Sequence, residues 1–543
     1  MLGRMMVSAL ALTGVAYAQE APPAAAPATS ERVVPTSTSA DRVIYEAAQF
    51  AQFNPQTALD MVSQIPGFSL DGGEERRGFS GAVGNVLIDG VRPSTKSQGV
   101  GGILSRIPAS QVVRLEVLRG AAVAGDASGQ SILLNVVRTD SAGSGVYSAG
   151  FELTSRGVPA PRGEVSYSGR NGNVEYSIAG SVFSQYRDLP GWRLFFDEVG
   201  GESYAGRAET PSPRDMREGT ITGSVAFPLW GGRFSTNAQI NAFRFNADND
   251  YYFFDALDNP DNALLQDYVE QNRGYEFGVN YDRDIGPWSL SLIGLINRSR
   301  YESDENDLFL TGAGAFDGDF FQDIQQDAGE SIARISLSRP LGEHHRIEFG
   351  GEAAFNSLDQ RLDLEGSFAP PSFDNANVLV EEERAELFAS HTWRPNSQWS
   401  VETRLNWETS TLTFTGDSNQ TVDLAFWKPS VQITRTFAGN NQLRFRVYRD
   451  VSQLDFGDFV SAAATADALI SGGNPDLVPQ TDWRYELGAD LHFPGGAALG
   501  LTLTQHQISD VTDVVYIPAA GYDAPGNLGD GEATSLDVNF STP

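Results

Sequence analysis

Three stretches put carboxylates beside aromatic rings: residues 248–255 (DNDYYFFD), 301–307 (YESDEND) and 315–323 (AFDGDFFQD). Carboxylate oxygens suit a hard cation, and rings such as Tyr251, Tyr252 and Phe253 can stack on a sugar or a chelate. None of the three has the spacing of a calcium-binding EF-hand loop. Ligand contact at an exposed loop is therefore one expectation, and solvated acidic surface is the other. A second candidate set is polar and basic: Arg92, Ser94 and Lys96 follow the turn signal Asp89-Gly90. Catalysis has no comparable support. The five histidines are scattered along the chain, and there is no HExxH, GxSxG or Walker pattern. With no cysteine, a thiolate metal site or a disulfide scaffold is excluded. No catalytic residue, metal or cofactor is expected.

These candidates need a scaffold, and the chain's start says where it is built. Arg4 precedes an apolar run from Met5 to Val15, and Ala16-Tyr17-Ala18 is a small-x-small cleavage site. Residues 1–18 thus read as a secretory signal peptide, too short to span a bilayer. Residues 19–40 form a leader, Ala/Pro-rich over 19–31. No later run approaches the 18 apolar residues of a membrane helix. A net charge of −32 argues against nucleic acid, whose phosphates would be repelled.

From residue 146 to 543 the dominant period is two. Trp399, Val401, Thr403, Leu405 and Trp407 alternate with Ser400, Glu402, Arg404 and Asn406; Trp483, Tyr485 and Leu487 alternate with Arg484, Glu486 and Gly488. Alternate side chains face opposite sides of a strand, so one face is apolar and the other charged. About sixteen strands fit, within the range of membrane barrels. Short turns at 169–173, 228–232, 284–287, 340–344, 394–397, 438–441 and 494–496 alternate with longer segments near 185–216, 247–272, 301–329, 356–381, 450–482 and 510–532. Short turns on one rim and long loops on the other are the up-and-down pattern of an antiparallel transmembrane β-barrel.

Residues 41–140 differ. A helix is expected over 55–62 with Asn54 as its cap, a strand at 86–88, a short helix at 102–106, and strands at 112–118 and 132–137. This is a small α/β domain with one core.

Here the chain resembles the TonB-dependent receptors. The segments ALDMVSQIPG (58–67), RGFSGAVGNVLIDGVR (77–92), ILSRIPASQVVRLEVLRG (103–120) and GQSILLNVV (129–137) look like the family's plug, and GNPDLVPQ (473–480) followed by YELG (485–488) looks like its barrel. The resemblance implies a mainly β protein with a plug in the barrel lumen. It implies a monomer in the outer membrane, in contact with lipid and lipopolysaccharide. A scarce small-molecule or oligosaccharide ligand would be imported past the plug: a ferric siderophore, cobalamin or a glycan. Energy would come from a TonB-type protein pulling on an extended box, a task suited to strand addition. Glu31, Arg32, Val33, Val34 and Pro35 are the candidate box. By motif position Arg77 and Arg119 look like plug arginines that face barrel acids, for which Glu486 and Asp537 hold matching places. Family barrels have 22 strands and end on an aromatic residue; this chain ends Asn539-Phe540-Ser541-Thr542-Pro543. A chain truncated at its C-terminus is therefore expected, or else a smaller barrel crowded by its plug. The alternative functions are a remnant that does not transport and a passive channel.

Overall fold

The computed structural model describes residues 36–38, 42–65, 68–71, 84–90, 95, 99–119, 132–139, 143–154, 157–196, 204–369, 376–464, 469–493, 497–517 and 522–542. The signal-peptide segment and most of the leader lie outside them.

The N-terminal domain is a five-stranded sheet with two short helices. Its strands are β1 (Ser37–Thr38), β2 (Arg42–Glu46), β3 (Val86–Ile88), β4 (Val112–Arg119) and β5 (Ile132–Arg138), in the order β1-β2-β4-β5-β3. Helix α1 (Ala58–Val62) and helix α2 (Val100–Ser105) cover one face. Phe50, Met61, Leu104, Leu115 and Leu134 close the core, none of them more than 1% exposed. Burying each such side chain stabilises by roughly 1.5–3 kcal/mol. The cap of α1 differs from expectation. Thr57, not Asn54, starts the helix: its hydroxyl accepts from the Asp60 amide at 3.3 Å, and the Asp60 carboxylate accepts from the Thr57 amide at 2.9 Å. This reciprocal pair satisfies two amides that a helix start leaves open. Asn54 instead takes φ +50°, a left-handed geometry Asn tolerates, and ends a preceding 3-10 turn.

The rest is one large antiparallel sheet curled into a barrel wall. Its strands are β6 (Ser144–Leu153), β7 (Pro159–Asn171), β8 (Val174–Asp188), β9 (Gly191–Phe196), β10 (Tyr204–Thr210), β11 (Pro213–Leu229), β12 (Gly232–Asp255), β13 (Pro260–Ile285), β14 (Trp288–Thr311), β15 (Phe316–Leu341), β16 (His345–Glu365), β17 (Val378–Asn396), β18 (Trp399–Gly416), β19 (Gln420–Thr436) and β20 (Gln442–Val451). Two short strands follow, β21 (Ala462–Ala464) and β22 (Leu469–Ser471), and the wall resumes with β23 (Thr481–His492) and β24 (Ala498–Ser509). A second short pair, β25 (Thr512–Ile517) and β26 (Tyr522–Asn527), precedes the last wall strand, β27 (Gly531–Ser541). Eighteen strands among the described residues form this wall. β9 continues β8 and β10 continues β11, each across a proline-containing break, so the wall has sixteen staves. Among the described residues β6 pairs with β7 and β27 with β24, and no paired register joins β27 to β6.

Tight turns occupy the described lower rim as expected; the expected turn at 494–496 lies outside the described residues. Gly172 (φ +61°), Trp230 and Gly231 (φ +48° and +76°) and Gly286 (φ +60°) supply the positive φ of two-residue hairpins. The upper segments need correction. Residues 247–255 and 260–272 are not loop but the ends of β12 and β13, joined by a tight turn; residues 301–311 and 316–329 belong likewise to β14 and β15. β13 and β15 are 26 residues long, about 85 Å at 3.3 Å per residue. The lipid-facing band of such barrels is only about 25 Å tall. Above it neither face must be apolar, so alternation fades in the sequence while pairing continues.

The segment between β20 and β23 folds into the barrel. Leu454, Phe459, Val460 and Leu477 pack on Val378, Val380, Leu412 and Phe414 of the inner wall. The GNPDLVPQ stretch ties this segment down. The Gly473 amide donates to Ser461 Oγ at 2.8 Å, Asn474 Nδ2 to the Pro525 carbonyl at 2.7 Å, and Val478 and Asn527 exchange bonds at 3.0 Å. A Cβ on Gly473 would stand 2.2 Å from the Phe459 carbonyl oxygen, so only glycine fits.

Candidate site between plug and barrel wall

β3 ends in the turn Asp89-Gly90, with φ +50° and +82°. The turn returns to the last plug strand: the Gly90 amide donates to Asn135 Oδ1 at 2.8 Å. Asp89 then holds Arg138. Its carboxylate accepts from the Arg138 amide and from its Nε, both at 2.8 Å. So oriented, Arg138 Nη2 reaches across to Glu175 of β8 at 3.1 Å. Glu175 is shared by two arginines of the wall, Arg170 at 2.9 Å and Arg233 at 2.8 Å. One carboxylate faces three guanidinium groups, one of which belongs to the plug. All four groups keep some solvent contact, between 16% and 36% of their side-chain surface. Each pair is thus worth less than a dry ion pair, and water can replace it.

Further polar contacts join plug and wall among the described residues. Arg106, just after α2, donates to Thr222 Oγ1 at 3.3 Å and stands 3.7 Å from Glu164. Burial pulls the Arg106 guanidinium below its ordinary pKa, with the Glu164 charge working against that shift; as an arginine it stays a cation. Gln111 and Ser168 exchange two hydrogen bonds, at 2.7 and 2.8 Å. Thr95 donates to Glu276 of β13. Between plug and wall lies a cavity of about 180 Å³, lined by Arg106 and Arg138 on one side and Ser166, Glu175, Thr222 and Arg233 on the other. Exchangeable polar contacts of this kind separate more cheaply than apolar ones, because water takes over their hydrogen bonds.

Across the lumen the inner wall of β15 to β19 carries a second cluster. Arg334 and Arg384 both hold Glu352, at 3.0 and 2.8 Å. Arg384 also lies 3.6 Å from Glu408, and Lys428 bridges Glu408 and Glu386 at 2.6 and 2.5 Å. The carboxylates are at most 3% exposed. This ladder locks five staves to one another.

At the upper mouth, β12 turns Tyr251 and Phe253 inward, their rings stacked at 6.3 Å. Phe195 of β9 packs on Phe253 at 6.0 Å, and the Arg193 guanidinium lies 5.6 Å from the Tyr251 ring. Aromatic faces beside a cation can hold a flat, electron-rich or anionic ligand.

Comparison with known proteins places this architecture. Residues 212–540 match the family model described as TonB dependent receptor-like, beta-barrel, and residues 33–132 match the TonB-dependent Receptor Plug Domain. The chain belongs to the TonB-dependent receptors. Among curated proteins no sequence matches it. Solved structures of the same fold include the siderophore receptor PirA of Pseudomonas aeruginosa (13% identity, 93% of this chain and 83% of that chain, TM-score 0.50). The ferric enterobactin receptor PfeA of the same organism, in complex with enterobactin, is 16% identical over 93% of this chain and 78% of that chain, with a TM-score of 0.51. The ferric yersiniabactin uptake receptor FyuA of Yersinia pestis is 12% identical over 92% and 75%, with a TM-score of 0.53.

Within this TonB-dependent receptor the residues singled out by sequence are scattered. Glu31 to Pro35, Arg77, Arg92, Ser94 and Lys96 lie outside the described residues, and so does the Arg119 side chain, whose backbone ends β4. Glu486 faces inward, where it accepts from Tyr448 Oη at 2.9 Å and lies 3.7 Å from Arg446, both of the neighbouring stave. Asp537 is exposed on β27, opposite Thr502. Tyr251, Tyr252 and Phe253 are not loop residues but lie within β12, with Tyr252 on the opposite face from the other two. Arg138, Glu175, Arg106 and the inner-wall ladder were missed. Glu175 and Glu352 do sit on the polar register of their strands, but nothing local distinguishes them from acids that face open water.

Proposed function

We propose that this receptor sits in the outer membrane, binds a scarce ligand at its upper mouth and imports it past the plug. The energy is drawn from a TonB-type protein of the inner membrane. The observation that carries the reading is the shared carboxylate Glu175, by which one plug arginine is held among two wall arginines in a solvent-touched site. A plug held this way stays in place at rest and yields to a pull. Ferric siderophore is the leading ligand class, ahead of cobalamin and glycans. It is the class named for the relatives, and the Arg193–Tyr251–Phe253 mouth has matching chemistry. Residues 1–18 direct export, and residues 31–35 form the box that TonB grips. Uptake of radiolabelled ferric siderophores by a deletion strain carrying this chain tests the reading. Uptake is expected to stop when the proton gradient is collapsed or residues 31–35 are removed, with surface binding retained. Uptake that persists without the gradient would assign a passive channel instead.

A further inference from the structure

The outer face of β12 to β15 carries three bands where lipid accounts for one. The lowest band is apolar: Ile240, Phe277, Ile296 and Ile335 point outward and are 42–62% exposed. Above it the outward positions turn acidic, with Asp248, Asp267, Glu302, Asp304 and Asp323. Above these the same faces become apolar again. Tyr252 and Phe321 are both 40% exposed and Leu308 37%, with Leu265 directly opposite Leu308. Trp192 of β9, 69% exposed, extends this upper patch across β10.

Lipid cannot cover the upper patch. Ten residues separate Ala242, the last outward apolar residue of the lower band on β12, from Tyr252. That is about 33 Å along the strand and, with the tilt of barrel strands, about 25 Å of height. The patch is also one-sided: the outward position of β16 opposite Phe321 is Glu365, and the next outward position below it is Asp363. A second membrane would require a ring, whereas a protein needs only a face. Exposed aromatic and aliphatic groups gathered on one face mark a docking surface.

Charge selects the partner. Four outward arginines of β11 to β14 border the acidic band. Arg300 is engaged by Glu302 at 2.7 Å and Arg217 by Asp215 at 2.9 Å, while Arg244 and Arg273 donate to the neutral Asn246 and Gln271 at 3.0 Å. The outward acids Asp215, Asp248, Asp250, Asp267, Glu302, Asp304, Asp323 and Asp327 still outnumber them. The whole chain carries −32, so a second copy would bring like charge to like. We propose that the upper outer patch docks a cationic protein whose apolar face is rimmed by Lys and Arg. The inference rests on the reading that this rim lies outside the outer membrane.

The chain has no cysteine, so Asn306→Cys, beside the patch and outward-facing, gives the full receptor one attachment point in intact cells. A membrane-impermeant maleimide should label it. Failure to label would overturn the orientation, and with it the functional reading, before docking is in question. A photoactivatable crosslinker on the same cysteine should then trap a basic protein, identified by mass. Adduct yield should fall about tenfold in Tyr252→Ser/Phe321→Ser, a variant that keeps its uptake and its heat-resistant mobility. Purified partner should bind purified receptor with the same tenfold difference, and severalfold more weakly in about 0.3 M salt. An adduct with a second copy, an adduct with lipopolysaccharide, or no protein adduct would each overturn the proposal.

Discussion

Glu175 and Lys428 carry charge clusters of opposite design. Glu175 gathers three arginines in partial contact with water, so any one of them can leave without stranding a bare charge in a dry site. Lys428 lies between Glu386 and Glu408 with almost no solvent nearby. Removing it leaves two buried carboxylates short of their cation, which costs about 3–5 kcal/mol. Lys428→Met is therefore expected to lower the temperature at which the folded barrel loses its fast gel mobility, and Lys428→Arg to restore most of it. An unchanged transition in Lys428→Met would mean the ladder is not structural. Neither cluster was legible residue by residue. Parity gives the face of a strand, but partners such as Arg384 and Glu352 come from different staves, and register sets which ones meet.

The plug sheet was the most legible element, since β3, β4 and β5 each carry a run of apolar β-branched or leucine residues bounded by turn signals. Its internal carboxylate was not foreseen. Glu116 on β4 is nearly buried, and burial alone would raise its pKa. Hydrogen bonds from Arg114 at 2.7 Å and Asn135 at 3.0 Å, with the charges of Arg114 and Arg42, outweigh that and hold its carboxyl below the usual value. A depressed folded-state pKa stabilises the sheet in full above the unfolded carboxylate range, and that stability is lost as pH falls through the folded value. Protection factors of the β4 and β5 amides, which take out the slowing of intrinsic exchange by acid, should accordingly fall on acidification below about pH 4.5. In Glu116→Gln that acid-dependent component should shrink; an identical pH profile in both proteins would remove Glu116 from the account. Among the wall strands, turn positions were legible because Gly172, Gly231 and Gly286 supply positive φ where the hairpins need it. Upper strand lengths were not, because above the lipid band the faces no longer differ in polarity.

For the whole molecule, the working question is whether the plug must move. Thr95 of the plug meets Glu276 of β13 across the gap. A chain without cysteine lets one bridge be installed there alone. Thr95→Cys/Glu276→Cys, closed by a short bismaleimide, is expected to abolish uptake while ligand still binds at the surface. Full uptake by the bridged receptor would show that the ligand passes without displacement of this part of the plug.

By itself the sequence determined the fold class, about sixteen staves and the described lower turns. Those follow from periodicity and turn chemistry, which are local. The plug motifs marked the family, which the comparisons bear out. Tertiary structure alone decided which acid meets which arginine, that the GNPDLVPQ segment folds inward, and that Tyr251 and Phe253 line a wall rather than a loop. Each depends on strands far apart in the chain coming into one register around the wall, and no local pattern encodes that distance.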